Sequence, residues 1–137
     1  MATSVNEVMT HDPRTLTPDS TVEEAARAMR DEEVGSIPLT EGSKCVGTIT
    51  DRDIVLRVVA DGRPLDTHVG DIASKQLVTV DPQQPVTEAM RLMAEHQIRR
   101  LPVCEEDGRL AGIVAQADIA RLEGGERTGR TVEQISR

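Results

Sequence analysis

The sequence contains no aromatic residue of any kind. Its 137 residues include no Phe, Tyr or Trp, and apolar residues make up 37% of the chain. The core must therefore be built from Val, Ile, Leu, Met and Ala, and a bound planar ring would have to lie between aliphatic side chains. Proteins that bind single-stranded nucleic acid by stacking bases on aromatic side chains are excluded.

Clustered positive charge and long apolar runs are also missing. The formal net charge is −8, and no cluster of Lys or Arg is longer than the pair at 99–100. We therefore expect no nucleic-acid partner. No apolar run approaches the roughly 20 residues needed to cross a bilayer, and the N-terminal MATSVNEVMT lacks the pattern of a signal peptide. The sequence predicts a cytoplasmic protein with no membrane partner.

Signatures of metal sites and catalysis are absent from the sequence. Cys45 and Cys104 are far apart in the chain, and we expect both to be reduced strand residues. His11, His68 and His96 are isolated, and no GxxxxGK[ST] loop or locally supported Ser-His-Asp order occurs. The sequence predicts a protein that is not an enzyme, has no metal site and requires no cofactor.

The sequence repeats itself. The stretch TLTPDSTVEEAARAMRDEEVGSIPL at 15–39 aligns with TVDPQQPVTEAMRLMAEHQIRRLPV at 79–103. One residue is inserted further on, after which three residues of the first copy recur in the second: Gly47, Asp53 and Ile54 as Gly112, Asp118 and Ile119. A Val-x-x-apolar pattern, which we call the apolar step, occurs at 5–8, 69–72 and 132–135. This order of identities indicates a duplicated unit.

Each copy has the same predicted local plan. Ser20 with Glu23 predicts a capping box for the first helix, and Pro85 fits the first turn of its counterpart. Runs of β-branched residues around TEGSK and EEDGR predict two hairpins with a glycine in each turn. Further helices are predicted at 53–60 and 118–122. Apolar residues at helical spacing predict a buried stripe in each copy: Val22, Ala25, Ala26 and Met29, then Val86, Ala89, Met90 and Met93.

The predicted order is strand, helix, strand, strand, helix, given twice. This pattern predicts an α/β (α+β) fold with two β-α-β-β-α repeats. We place the first repeat at 1–64, the second at 65–123 and a flexible C-terminal tail at 124–137. The segment at 61–68 is expected to be a short connector.

The apolar-Pro-apolar strands IPL and LPV and the Gly-x-x-Thr-x-x-Asp pattern at 47–53 resemble a known family. The chain is similar, over residues about 5 to 122, to a tandem pair of cystathionine-β-synthase (CBS) domains, the Bateman module. The resemblance is to the stand-alone bacterial proteins of this kind. It implies a pseudo-two-fold pair of repeats whose clefts bind an adenosine-containing ligand such as AMP, ADP, ATP or S-adenosylmethionine, acting as a regulatory ligand.

The resemblance also implies a homodimer of two such pairs. The helix stripes carry residues small or pliable enough for close contact with a second copy, namely Ala25, Ala26, Met90 and Met93. Closed two-fold symmetry is the commonest arrangement for such an association.

The pattern Thr50-x-x-Asp53 has two compatible interpretations. It is a capping box, in which the Thr hydroxyl and the carboxylate satisfy the free N–H groups of a helix start. The resemblance implies that the Asp also pairs with ribose hydroxyls and the Thr with phosphate. The aliphatic surface near Val78 and the strand at 46–49 would then hold the base. Arg99 and Arg100, which could instead be a solvated pair at a strand end, would supply charge for the phosphate.

Two unequal clefts are therefore expected, each completed by residues of the opposite repeat. In the second, Ala115 replaces the Thr, and the positions opposite are Gly35 and Ser36. The first cleft comprises Thr48, Thr50, Asp53, Val78, Arg99 and Arg100. The weaker second cleft comprises Arg14, Ser36, Ile113 and Asp118.

A ligand-free alternative stays open on the sequence alone. In that case the protein is a dimerisation or scaffold module, and the Thr50-x-x-Asp53 pattern serves only as a helix cap.

Overall fold

The computed structural model of the chain describes residues 3–74 and 76–124. The chain divides into two compact units. The first-repeat unit covers Arg14–Leu77, and the second-repeat unit combines the N-terminal residues up to Pro13 with the chain from Val78 onward. The predicted repeat boundary at 64 and 65 therefore falls inside the first-repeat unit. The apolar step at 132–135 and the predicted tail, apart from residue 124, lie outside the described residues.

The predicted helices and hairpins are present, in the predicted order. The helices are α1 (Val22–Glu32), α2 (Asp51–Ile54), α3 (Val86–His96) and α4 (Gln116–Gly124), and α2 continues directly into a π-helical turn at Val55–Val59. The strands are β1 (Thr10–His11), β2 (Ser36–Glu41), β3 (Lys44–Thr50), β4 (Arg100–Cys104) and β5 (Leu110–Ala115). Among the described residues, no helix is long and apolar enough to cross a membrane.

The two hairpins are built alike. β2 pairs antiparallel with β3, and β4 pairs antiparallel with β5. Each carries one extra residue at the same place, Val46 in β3 and Ala111 in β5, which forms a bulge. The first strand predicted for each repeat is reduced to one parallel bridge, joining Leu16 to Leu39 and Val80 to Val103.

The predicted helix stripes are correct except at one position. Ala26 is exposed, whereas Ala28 is buried with the rest of the α1 stripe. Going along a helix, a step of three residues moves slightly to one side of a buried stripe, and a step of four moves slightly to the other. The buried stripe of α1 is therefore rotated toward Ala25 and Ala28, which follow Val22 in steps of three. In α3 the predicted residues are buried, apart from the half-buried Met90.

The predicted helix starts are displaced by one or two residues. Thr21, not Ser20, caps α1: its hydroxyl accepts from the Glu24 backbone N–H at 3.1 Å, and the Glu24 carboxylate accepts from the Thr21 backbone N–H at 3.3 Å. Pro85 is the cap residue of α3 and so precedes its first turn. The helices predicted from residues 53 and 118 begin two residues earlier.

The apolar step anchors a chain segment to each unit. Val5 donates its backbone N–H to the Gln84 carbonyl at 2.8 Å, and Val69 donates in the same way to the Ser20 carbonyl at 2.8 Å. Both valines are fully buried. Two more backbone hydrogen bonds of 2.9 Å occur at corresponding places in each unit. In the second-repeat unit the N–H groups of Asn6 and Val86 donate to the carbonyls of Pro82 and Thr3. In the first-repeat unit those of Gly70 and Val22 donate to the carbonyls of Pro18 and Thr67. The N-terminal residues therefore complete the second-repeat unit, not the first.

Each unit has its own apolar core. In the first-repeat unit, residues of α1, β2 and β3 pack with Val69, Ile72 and Ala73. In the second-repeat unit, residues of α3, β4 and β5 pack with Val5 and Met9. The segments that carry the apolar step are thus part of both cores.

Gly47 and Gly112 lie where a second backbone crosses the hairpin. A Cβ atom at Gly112 would lie 2.5 Å from the Thr10 carbonyl oxygen, and one at Gly47 would lie 3.4 Å from the Ser74 carbonyl oxygen. Thr10 belongs to β1, which pairs with β5, and Ser74 bridges β3. Backbone packing therefore requires glycine at Gly112, whereas a Cβ atom at Gly47 would make an ordinary van der Waals contact.

The two glycines should differ in their tolerance of alanine. We expect Gly112→Ala to lower the free energy of unfolding by about 1–3 kcal/mol, because the new methyl group meets a backbone oxygen that cannot move aside. At Gly47 the added Cβ atom would make an ordinary van der Waals contact, so Gly47→Ala should lower the free energy of unfolding by less than about 1 kcal/mol. Urea unfolding followed by far-ultraviolet circular dichroism measures both, and equal losses would contradict the assignment.

Candidate ligand-binding site

The start of α2 is held by a reciprocal cap. Thr50 Oγ1 accepts from the Asp53 backbone N–H at 3.0 Å, and Asp53 Oδ2 accepts from the Thr50 backbone N–H at 3.1 Å. This confirms the predicted capping box. Both residues are half-buried, and in the described part of the chain Asp53 Oδ1 has no hydrogen-bond partner. One carboxylate oxygen remains available as an acceptor beside a helix start, where free N–H groups favour an anion.

The start of α4 has half of this cap. Asp118 Oδ2 accepts from the Ala115 backbone N–H at 3.1 Å, the same distance as in the first repeat. Ala115 has no hydroxyl to accept from the Asp118 backbone N–H. The presence of Ala115 instead of a threonine therefore removes one hydrogen bond of the cap but does not change the position of the Asp118 carboxylate relative to the Ala115 N–H.

The arginine pair lies beside the second of these helix starts. Arg100 begins β4 and pairs with Ala115 of β5, and the Arg99 carbonyl accepts from the Gln116 backbone N–H at 2.8 Å. Arg99 is exposed and Arg100 is half-buried. Both belong to the same unit as Asp118, as expected for residues of the second repeat.

The equivalent positions in the first-repeat unit are uncharged. Ser36 pairs with Thr50 across the hairpin, and the Gly35 carbonyl accepts from the Asp51 backbone N–H at 2.9 Å. A Cβ atom at Gly35 would lie 3.0 Å from the Asp51 carboxylate, so this acidic side chain lies directly against the residue that precedes β2. Each unit thus brings together residues that the sequence assigned to different clefts.

The other predicted site residues occupy varied environments. Thr48 is half-buried and bridged to Ser74, and Val78 packs partly buried against the core of its own unit. Ile113 is buried, because β5 lies between β1 and β4. Arg14 is exposed at the start of the first-repeat unit.

Sequence reasoning missed Arg121, which forms an ion pair with Asp118. Arg121 Nη2 donates to Asp118 Oδ1 one turn along α4. The corresponding residue of the first repeat is Leu56. The spacing of opposite charges at i and i+3 on a helix is the signal that would have found this pair.

No cluster of potential metal ligands is formed within residues 3–74 and 76–124. No three His, Cys, Asp or Glu side chains come together there. Cys45 and Cys104 are both buried strand residues, as predicted, and Cys45 Sγ lies 3.6 Å from the Gly47 carbonyl oxygen.

Comparison with known proteins identifies the family. The family model for the CBS domain matches the chain twice, at residues 5–60 and 69–125. The CBS domain-containing protein YhcV of Bacillus subtilis (strain 168) is 41% identical over 134 residues, which is 97% of this chain and 95% of that protein. The chain therefore belongs to the CBS domain family and carries two copies of the domain.

Two solved structures are similar to the chain over most of its length. The CBS domain pair of protein MJ0100, in complex with 5′-methylthioadenosine and S-adenosyl-L-methionine, is 26% identical with a TM-score of 0.81, covering 93% of this chain and 100% of that one. Hypoxic Response Protein I, solved with two coordinated zinc ions, is 36% identical with a TM-score of 0.80, covering 87% and 98%. The mixed helix and strand fold with small sheets is that of CBS domain pairs.

Exchanging the cap residue between the repeats should have opposite effects on stability. We expect Thr50→Ala to lower the free energy of unfolding by about 1 kcal/mol, since it leaves the Asp53 backbone N–H without its hydroxyl acceptor. Ala115→Thr should raise it by up to about 1 kcal/mol by supplying the missing acceptor to Asp118. Urea unfolding by circular dichroism measures both, and shifts of the same sign would contradict the comparison.

Proposed function

We propose that this protein is a non-catalytic regulatory module that binds an adenosine-containing ligand such as AMP, ADP, ATP or S-adenosylmethionine. The observation that carries the proposal is the capped start of α2, where Asp53 keeps a carboxylate oxygen available beside the helix N–H groups. The CBS domain pair of MJ0100, solved with two adenosine-containing ligands, supports this class of ligand.

Asp53 is the proposed partner of the ribose. A carboxylate offers acceptors only, and two adjacent hydroxyl groups are donors that match it. Thr50 is placed to contact phosphate, because its hydroxyl proton is available while its oxygen accepts from the Asp53 backbone N–H. The same two residues can therefore cap the helix and contact the ligand.

The remaining contacts of the proposal come from the family resemblance. Aliphatic side chains near Val78 and strand β3 hold the base, because the chain has no aromatic residue to stack on it. Arg99 and Arg100 supply charge to a phosphate, for which guanidinium groups are well suited. We propose that the Asp53 site is the stronger one, since Ala115 deprives the Asp118 site of a hydroxyl.

The alternative is a scaffold module without a ligand, in which the Thr50–Asp53 cap has only a structural role. The cap geometry alone suits both functions. The ligand-bound CBS domain pair among the similar structures favours the binding function.

Ligand binding can be tested against a matched capping box. Calorimetry and dye-monitored thermal unfolding with AMP, ATP, S-adenosylmethionine and GMP should show stabilisation by at least one adenosine compound. A ligand at 100 times its dissociation constant adds about 2.7 kcal/mol of stability. Asp53→Asn should abolish that gain because it removes the charged acceptor of the ribose hydroxyls.

Glu24→Gln is the control for this test. It alters the carboxylate of the Thr21–Glu24 box, which has the same reciprocal bonds at the start of α1. The control should retain binding. Equal affinity for AMP and GMP, or no response to any adenosine compound, would contradict the proposed ligand class. Loss of binding in Asp118→Ala but not in Asp53→Asn would move the stronger site to the other repeat.

A homodimer remains part of the proposal, but two of the four residues predicted for its contact are unavailable, while Ala26 is exposed and Met90 is half-buried. Ala25 and Met93 are fully buried in the cores of their units, so they are not available to a second copy. The π-helical turn that follows α2 exposes Val55, Leu56 and Val59, and Val59 is 68% exposed. We propose that this apolar surface forms the contact between the two copies.

Light scattering tests the dimer contact. The wild type should have the mass of a dimer at micromolar concentration, and Val59→Glu should be a monomer because a carboxylate would be buried without a partner. Leu65→Glu, at another exposed apolar residue of the same unit, should stay dimeric. A monomeric wild type would rule out the dimer, and a dimeric Val59→Glu would rule out this surface.

A further inference from the structure

The two capped aspartates differ in what contacts their second oxygen. In both repeats Oδ2 accepts from the backbone N–H three residues earlier, at 3.1 Å. Oδ1 is then the oxygen that the cap does not use. Asp118 Oδ1 already accepts from the Arg121 guanidinium, whereas no residue in the described part of the chain donates to Asp53 Oδ1.

The difference comes from one position of the repeat. Arg121 lies three residues after Asp118, on the same face of α4. The first repeat has Leu56 there, which cannot donate a hydrogen bond. The aspartate itself and the residue after it are shared, since Asp53-Ile54 aligns with Asp118-Ile119.

The Arg121–Asp118 pair is better protected than an ordinary surface ion pair. The Asp118 side chain is 15% exposed, although that of Arg121 is 62% exposed. A charged hydrogen bond to a largely buried carboxylate is stronger than a pair between two exposed side chains. A ribose hydroxyl that approaches this oxygen therefore competes with the guanidinium for it.

We infer that Arg121 is a specificity-determining residue that weakens the Asp118 site by competing with the ligand's ribose for the Asp118 carboxylate. The inference rests on the proposed function and adds a cause of inequality that is independent of Ala115. The Arg121–Asp118 ion pair makes the Asp118 site selective. A ligand binds there well only if its contacts with Asp118 or Arg121 are stronger than the ion pair that they replace. A single substitution is therefore predicted to open the site.

Arg121→Leu is the direct test, since it copies the residue of the first repeat. Calorimetric titrations with AMP, ATP and S-adenosylmethionine should show one tight binding event in the wild type. In Arg121→Leu we expect a second event to strengthen by about tenfold, because the ribose no longer competes with a charged hydrogen bond. Asp118→Ala in the Arg121→Leu background should abolish that gain.

Arg91→Leu is the matched control. Arg91 pairs with Glu88 at 2.7 Å on α3 with the same i, i+3 spacing, and its hydrogen bond holds the pKa of Glu88 below the ordinary value. Removing it deletes an ion pair of the same spacing that lies on α3, not on α4. The control should leave both binding events unchanged, so any change in Arg121→Leu is not the general effect of losing a helical arginine.

The outcomes separate this inference from the proposed function. If no variant binds any of the three compounds, the proposed function fails and the inference fails with it. If the wild type binds but Arg121→Leu titrates identically, only the inference is overturned. If Arg121→Leu binds more weakly, Arg121 contacts the ligand directly and the competition is likewise overturned. A strengthened second event that requires Asp118 supports it.

Discussion

The burial of Val5 and Val69 is the interaction on which the rest of each unit depends. Each valine donates its backbone N–H to a carbonyl just before the first helix of a repeat, and each is fully buried among the residues of that repeat. Because burial and hydrogen bonding occur together, the segment is held in one register. The following residues then reach the hairpin, where Ser74 lies against Gly47 and Thr10 lies against Gly112. The position of the second helix start follows from that hairpin.

The candidate site arises from the same backbone geometry. A strand ends at Thr50 and a helix begins at the next residue, so the cap that stabilises the turn also places a carboxylate beside free N–H groups. Duplication produced this arrangement twice, and the copies have since diverged at single positions. Ala115 lacks the hydroxyl, and Arg121 occupies the carboxylate oxygen that Leu56 leaves available. Similar folds with different side chains at two positions can thus differ in what they bind.

Much of the fold could be predicted from the sequence because the duplication states each pattern twice. The hairpins and the four helices are recognisable in this way, and the Thr50–Asp53 cap is recognisable from its own spacing. The errors concern the exact position of helix starts and of buried residues. Both Ser20 and Thr21 are followed three residues later by a glutamate, so the capping-box pattern fits either. Periodicity indicates that a helix has an apolar side, but the rotation that buries Ala28 in place of Ala26 depends on the packing partner.

The sequence by itself determined the helices and hairpins, their order and the family, because these follow from residue patterns that recur twice along the chain. Only the tertiary structure decided that residues before Pro13 complete the second-repeat unit, since a backbone hydrogen bond between distant segments leaves no local pattern. It also decided the register of each hairpin, in which Arg100 pairs with Ala115 and one residue of each second strand forms a bulge. The requirement for glycine at Gly112 has the same origin, because the Thr10 backbone approaches too closely there for a Cβ atom.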